Sequence, residues 1–269
     1  MFNKSEFKYT LKENPNDKRT IKVGGVTIGE TPLLCSGPCT IANEEELIKI
    51  AKEVKNAGCN ALRGGAFKPR TSPYSFQGLG SDGIKILSEI SKDFNLLSTS
   101  EITDPRDVDL FNQHIDIIQV GARNMQNFVL LSELGKIDKP IILKRGFSAT
   151  ITEFLSSSEY IIEGGNEKVI LCERGIRTFN EITRNTLDLG TVALIQEYSS
   201  LPIIVDPSHA SGLRSLVPKL ALASMVMGVD GLMIESHTNP DEAISDKEQT
   251  ISTETLKDLI IKINAFKKI

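Results

Sequence analysis

"LLCSGPCTIANEEELIKIAKEVKNAGCNALRGGAF", residues 33–67, holds one full period of the chain: a short apolar run (LLCSG, 33–37), an amphipathic segment (NEEELIKIAKEVKNAG, 43–58) and a second apolar run (ALRGGAF, 61–67). The same rhythm continues through LLSTSEI (96–102), DIIQVGA (116–122), PIILKRG (140–146), VILCERG (169–175), PIIVDPS (202–208) and GLMIESH (231–237). Between these runs lie helical patterns such as SDGIKILSEISKDF, NFVLLSELGKI, ITEFLSSSEYIIEGG and RSLVPKLALASMVMG, and the last is TETLKDLIIKINAFKK. Near-continuous apolar strands separated by helices predict an α/β fold with a parallel sheet under helices. Eight repeats across about 240 residues suit a closed (β/α)8 TIM barrel better than an open doubly wound sheet. Ahead of them, IKVGGVTIGE (21–30) alternates around Gly24-Gly25 and predicts a short N-terminal β-hairpin able to close the barrel bottom. The expected organisation is an extension over 1–20 and a single barrel domain over 21–269.

Composition excludes several function classes. The chain has 269 residues, 40% of them hydrophobic, and its 31 Lys+Arg nearly balance 35 Asp+Glu for a net charge of −4. No long basic tract with interleaved aromatics appears, so nucleic acid is not an expected partner. The amino-terminal stretch has neither an apolar signal core nor an Arg-rich transit pattern, and no run is long and apolar enough to predict a membrane span. A cytoplasmic location is the resulting expectation. Cys35, Cys39, Cys59 and Cys172 form no disulfide framework and no C-x-x-C zinc pair. Cys35 and Cys59 read as core residues.

In such a barrel, the residues that finish each strand line one mouth, where active sites are built. Here the ends read GPC, RGGAFKPRTS, SEITDPR, QVGARNMQ, LKRG, CERG, DPSHA and IESH, polar or reactive in every case. Arg63, Lys68, Arg70, Arg123, Lys144, Arg145 and Arg174 are thereby expected to converge, and a concave site with so many cations calls for a polyanionic ligand, phosphate above all. Gly64-Gly65 would allow close backbone approach to it, while Thr71 and Ser72 would add neutral donors. A second group, Cys39, His209, Glu235 and Asp246, offers a thiolate, an imidazole and two carboxylates. That donor mixture suits Mn, Fe, Co or Zn better than Ca, and Mg only weakly. Taken alone, Cys39 reads more readily as a buried structural thiol and Asp246 as a helix cap; His114 and His237 read as non-ligands.

The strand-end motifs SGPCTI, RGGAFKPRTSPYSFQGLG, QVGARNMQNF, ILKRG, LCERGIRTF, RNTLDL, IVDPSHASG and GLMIESH resemble those of the 3-deoxy-D-arabino-heptulosonate 7-phosphate (DAHP) synthases. The likeness is to the compact branch of that family, related to the 3-deoxy-manno-octulosonate 8-phosphate (KDO8P) synthases. It implies condensation of phosphoenolpyruvate with erythrose 4-phosphate and release of phosphate, the first step of the shikimate pathway, in a homo-oligomer (dimer or tetramer) with one divalent metal ion. By the same resemblance, Cys39, His209, Glu235 and Asp246 are the metal ligands. Arg63, Lys68, Arg123, Lys144 and Arg174 bind phosphoenolpyruvate with the backbone of Gly121 and Ala122, and Arg70, Thr71 and Ser72 hold the aldose phosphate. Asp206 lies near the aldose hydroxyls, and Glu101 near the water that attacks the enol carbon. Lys68, crowded by other cations, is expected to have a lowered pKa and to give a proton to the new alkoxide. KPRTS (68–72) is the DAHP-type signature; the alternatives are KDO8P synthesis from arabinose 5-phosphate and a non-catalytic barrel that binds a phosphometabolite. Residues 1–20 are too few for the regulatory domain or fused chorismate mutase of many relatives, so weak or absent feedback inhibition by aromatic amino acids is expected.

Overall fold

Within residues 2–68 and 74–266, which the computed structural model describes, the apolar runs become parallel strands laid side by side in chain order. A hairpin of β1 (Ile21–Val23) and β2 (Val26–Ile28) precedes β3 (Leu33–Gly37), β4 (Ala61–Arg63), β5 (Leu97–Ile102) and β6 (Ile117–Val120). Then come β7 (Ile141–Lys144), β8 (Val169–Glu173), β9 (Ile203–Val205) and β10 (Gly231–His237). β10 pairs with both β9 and β3, from Gly231 opposite Leu33 to Glu235 opposite Gly37, which closes the barrel. A short β11 (Ile251–Ser252), not foreseen from the sequence, lies parallel to the end of β10.

The covering helices are α1 (Glu44–Asn56), α2 (Gly80–Asp93), α3 (Val108–His114), α4 (Phe128–Leu134), α5 (Ile151–Glu163), α6 (Leu189–Tyr198), α7 (Pro207–Ser211), α8 (Val217–Val226) and α9 (Thr253–Phe266). Their starts follow from local chemistry. Asn43 accepts from the Glu46 backbone N–H at 2.9 Å, and Thr150 with Glu153 forms a reciprocal capping box before α5. None of the described helices is long and apolar enough to cross a membrane.

Two cores result. One fills the space between helices and barrel wall. The other lies inside the barrel, where Ile21 and Ile28 of the hairpin meet Leu33, Ile117, Ile142, Ile170, Ile204 and Met233, so the hairpin does plug the bottom. Each such side chain contributes about 1.5–3 kcal/mol on burial.

The period-2 alternation of a strand then places chemistry above this plug. Two residues after an inward apolar side chain comes an inward polar one: Arg63 after Ala61, Gln119 after Ile117, Lys144 after Ile142, Asp206 after Ile204, Glu235 after Met233.

Two runs end three or more residues sooner than the sequence reading has them. ALRGGAF leaves the sheet after Arg63, and PIIVDPS after Val205. In the second case, Asp206 caps α7 by accepting from the His209 backbone N–H at 2.9 Å, with Pro207 in the first turn.

Candidate active site

Cys39 follows β3, His209 sits in α7, Glu235 lies on β10 and Asp246 in the loop after it. One donor atom from each lies within 4.8 Å of the others. Glu235 Oε1 is 3.2 Å from His209 Nε2, and Asp246 Oδ2 is 2.9 Å from Cys39 Sγ. His114 and His237 stay outside this group; His237 is bonded to Glu46 at 2.8 Å.

The state of His209 follows from its neighbours. Asp206, with no exposed surface, accepts from His209 Nδ1 at 2.8 Å, which fixes the proton on Nδ1 and leaves the Nε2 lone pair facing the cluster. Burial lowers the His209 pKa, opposed by Asp206 and Glu235, and so favours this neutral imidazole. A lone pair and a carboxylate oxygen therefore face each other at 3.2 Å, an arrangement that a cation relieves. Burial and Glu235 push the Cys39 thiol up to about 12, against the pull of Lys68 and Arg63. Glu235 and Asp246 are both held below the ordinary carboxylate range; burial works against this, while His209 and Arg63 act on Glu235, and Lys68 and the Cys39 bond act on Asp246.

Cations surround the cluster. Arg63 Nη1 donates to Glu235 Oε1 at 3.0 Å, Lys68 lies 3.4 Å from Asp246 Oδ2 and also donates to Cys39 Sγ, and Lys144 donates to Asp206. Beside them opens a cleft of about 590 Å³ whose wall includes Lys68, Glu101, Arg123, Lys144 and Arg174. Gly121 and Ala122 also line it, and His209 and Asp246 connect it to the cluster. Cys39 and Arg63 line an adjoining recess that shares Lys68 and Glu101. Arg174 is buried and donates to the carbonyls of Gly175 and His209 at 3.2 and 3.1 Å. Burial pulls its pKa below the ordinary value, with Asp206 opposing.

Glu101 is oriented by Gln119, whose amide donates to Oε2 at 2.9 Å. A Cβ on residue 121 would meet Glu101 Oε1, so the glycine leaves room for the carboxylate in its observed position.

The sequence reading needs two corrections, at Arg145 and Lys68. Arg145 does not join the mouth: it is buried and bonded to Glu173 at 3.0 Å, Asp188 at 2.9 Å and the Ala149 carbonyl. Asp206 is bonded to His209 and Lys144, both of which line the cleft. Lys68 does not have a lowered pKa. Burial acts in that direction, but Cys39, Glu235 and Asp246 around it hold the ammonium above its ordinary value. Gly64 and Gly65 line the recess with Cys39 and Arg63, and a Cβ on Gly65 would also lie 2.3 Å from the Cys39 carbonyl oxygen. Arg70, Thr71 and Ser72 lie outside the described residues.

Sequence reasoning missed three participants. Phe147 stands in the cleft wall with Arg174, Arg177 and Arg123 at 4.7, 5.3 and 5.6 Å from its ring centre, contacts worth about 0.5–1 kcal/mol each where exposed. Arg184 also lines the cleft. Gln249 donates to Glu235 Oε2 at 2.6 Å.

Comparison with known proteins agrees with this geometry. The model of the DAHP synthetase I family matches residues 8–268. Phospho-2-dehydro-3-deoxyheptonate aldolase of Thermotoga maritima is 46% identical over 255 residues, 94% of this chain and 75% of that protein. The 2-dehydro-3-deoxyphosphooctonate aldolase of Desulfatibacillum aliphaticivorans is 29% identical over 262 residues, 90% of this chain and 94% of that one. The crystal structure of the Thermotoga maritima aldolase matches with a TM-score of 0.90 at 45% identity, over 93% of this chain and 74% of that chain. A truncated form of 3-deoxy-D-arabino-heptulosonate 7-phosphate synthase from the same organism also gives 0.90, at 40% identity, over 97% and 96%.

Proposed function

Because the chain belongs to the DAHP synthetase I family, we propose that it condenses phosphoenolpyruvate with D-erythrose 4-phosphate, giving 3-deoxy-D-arabino-heptulosonate 7-phosphate and inorganic phosphate. The observation that carries this reading is the four-donor cluster of Cys39, His209, Glu235 and Asp246 opening directly onto a cleft lined by cations.

The cluster fits a divalent ion by its chemistry. A neutral imidazole lone pair, two carboxylate oxygens and a thiol face one another, and the soft sulfur favours Mn, Fe, Co or Zn over Ca. When bound, such an ion supplies Lewis acidity toward the aldehyde oxygen. The chain's own side chains do the rest. Arg174, Arg123 and Lys144, with backbone N–H of the Gly121-Ala122 turn, grip the enol phosphate and carboxylate. Lys68, an ammonium between Cys39 and Asp246, is placed to give a proton to the oxygen that becomes an alkoxide. Glu101, oriented by Gln119, is the proposed carboxylate beside the water that adds to carbon 2. Arg70, Thr71 and Ser72 are the proposed holders of the aldose phosphate. Fixing two anionic substrates in one cleft removes much of the entropic barrier to their reaction. The proposal takes residues 21–269 as one catalytic barrel acting in the cytoplasm as a homo-oligomer.

The test is phosphate release from phosphoenolpyruvate with erythrose 4-phosphate or arabinose 5-phosphate, each with and without chelator. Release that requires the tetrose and is abolished by chelator supports the reading. Preference for the pentose moves the chain to the sister reaction, and binding of phosphoenolpyruvate with no release in any arm leaves a binding barrel.

A further inference from the structure

Both carboxylates of the cluster are divided between two tasks. Glu235 turns Oε1 toward His209 Nε2 (3.2 Å) and Arg63 Nη1 (3.0 Å), while Oε2 accepts from Gln249 Nε2 at 2.6 Å. Asp246 turns Oδ2 toward Cys39 Sγ (2.9 Å) and Lys68 (3.4 Å), while Oδ1 accepts from Arg184 Nη1 at 3.1 Å. The two outer supports are themselves joined: the same Arg184 Nη1 donates to Gln249 Oε1 at 2.9 Å.

We propose that Arg184 and Gln249 form a positioning bridge that holds Glu235 and Asp246 with one oxygen each toward the ion, so that each carboxylate serves as a single-atom ligand. This rests on the reading of the four-residue cluster as a metal site.

The orientation of Gln249 is determined by its partners. Its amide must present nitrogen to a carboxylate and oxygen to a guanidinium, and the reversed amide would face acceptor with acceptor and donor with donor. It is buried at 2% exposure beside the unexposed Glu235, so no water substitutes for the bond between them. The backbone supports both ends. Asp246 adopts φ 55, in the left-handed region, and the turn that follows returns Gln249 N–H to the Asp246 carbonyl at 3.2 Å. Arg184 is anchored by its backbone N–H on the Ser211 carbonyl at 2.9 Å, and the Ile176–Thr186 bridge closes its loop. A carboxylate free to rotate could offer both oxygens to one ion, a mode that large oxygen-seeking cations use. The bridge occupies the second oxygen of each, and that favours ions content with few ligands.

The test uses metal-free protein titrated with Co²⁺, whose visible bands report ligand number, in competition with a chelator. Arg184→Met and Gln249→Leu should each weaken Co²⁺ binding by about 10–100-fold, the usual effect of removing an outer partner of a ligand, and should shift the visible bands. Because both act through one bridge, the double variant should lose less than the product of the single losses. Wild-type affinity and spectrum in both variants would overturn the bridge while leaving the metal reading intact. Failure of the unaltered protein to bind Co²⁺ would overturn both. Should Gln249→Leu not fold, as checked by circular dichroism, Arg184→Met decides alone, since that side chain is 38% exposed and its loss leaves no buried hole.

Discussion

Replacing Asp206 by Asn removes a charge but keeps the shape, and the structure gives the size of the effect. Asp206 has no exposed surface, and its side-chain oxygens accept from Lys144, from His209 Nδ1 at 2.8 Å and from the His209 backbone N–H at 2.9 Å. Asparagine can keep the backbone cap through its carbonyl oxygen. Its NH₂ group must then stand where Lys144 and His209 both offer donors. Lys144, with a side chain 4% exposed, is left as a buried ammonium with no compensating acid among the described residues. Breaking one side of a buried pair costs about 3–5 kcal/mol, a large part of the about 5–15 kcal/mol that holds such a domain together. Urea unfolding of the metal-free protein, followed by far-ultraviolet circular dichroism at neutral pH, should show that loss as a lower midpoint with unchanged slope. The cause can be isolated by a cycle with Lys144→Met. The double variant removes both charges, so the two losses should fall short of additivity by about 1–3 kcal/mol. A loss below about 1 kcal/mol in Asp206→Asn, or strict additivity in the double variant, would refute the argument that an ion pair at this depth is what the carboxylate supports.

Glu101→Gln keeps the bond geometry to Gln119 but removes the basic oxygen, so kcat for phosphate release should fall by about 10²–10⁴-fold while the KM for phosphoenolpyruvate changes little. Gly65→Ala would bring a Cβ within 2.3 Å of the Cys39 carbonyl oxygen; a loss of about 1–3 kcal/mol in urea unfolding is expected, and a neutral result would mean that this contact relaxes freely. Since the metal-free Cys39 thiol is pushed up to about 12, ligation must displace its proton. Apparent Co²⁺ affinity should rise about tenfold per pH unit between pH 7 and 8. Cys39→Ser, which removes the thiol, should bind more weakly and lose the thiolate charge-transfer band.

The barrel was legible because each strand–helix period repeats the same contrast between short apolar runs and amphipathic segments, and because every strand ends in polar residues. What escaped was local. The strand reading of 202–208 runs two residues into α7, although Asp206 and Pro207 are a cap and a first-turn residue. The α6 segment LGTVALIQEY is apolar on most sides, so it carries no clear helical stripe. Arg145 was assigned to the mouth by proximity in sequence. Strand alternation contradicts this, because an inward Lys144 forces Arg145 outward, toward Glu173, which lies outward beside the inward Cys172. Lys68 was judged by counting cations, yet the acids that decide its state were the very residues read as metal ligands. Arg184 opens the RNTLDL motif, which says nothing of what its side chain holds, and Gln249 carries no local mark. One is an arginine in a polar loop, the other an uncharged amide, and only the tertiary structure brings them onto the two carboxylates.

The charge of the mouth also has a different origin from the one its sequence implies. A row of cations alone calls for an anionic ligand, but Arg63, Lys68 and Lys144 already lie on Glu235, Asp246 and Asp206. Arg123 and Arg174, by contrast, have no salt bridge among the described residues and sit against the Phe147 ring instead. The site is thus two interlocked sets, acids that gather around the donor cluster and cations that turn toward the cleft, sharing Arg63 and Lys68 between them. On the proposed metal reading, an ion held by Glu235 and Asp246 would draw those carboxylates from Arg63 and Lys68, whose positive charge would then fall more strongly on an anion in the cleft and its recess. By linkage the effect would be reciprocal: an anion there would draw the same two cations from the carboxylates and leave those oxygens more open to a metal. Shared ion pairs of this kind keep the buried charges compensated, and two such occupants would favour each other without any movement of the barrel.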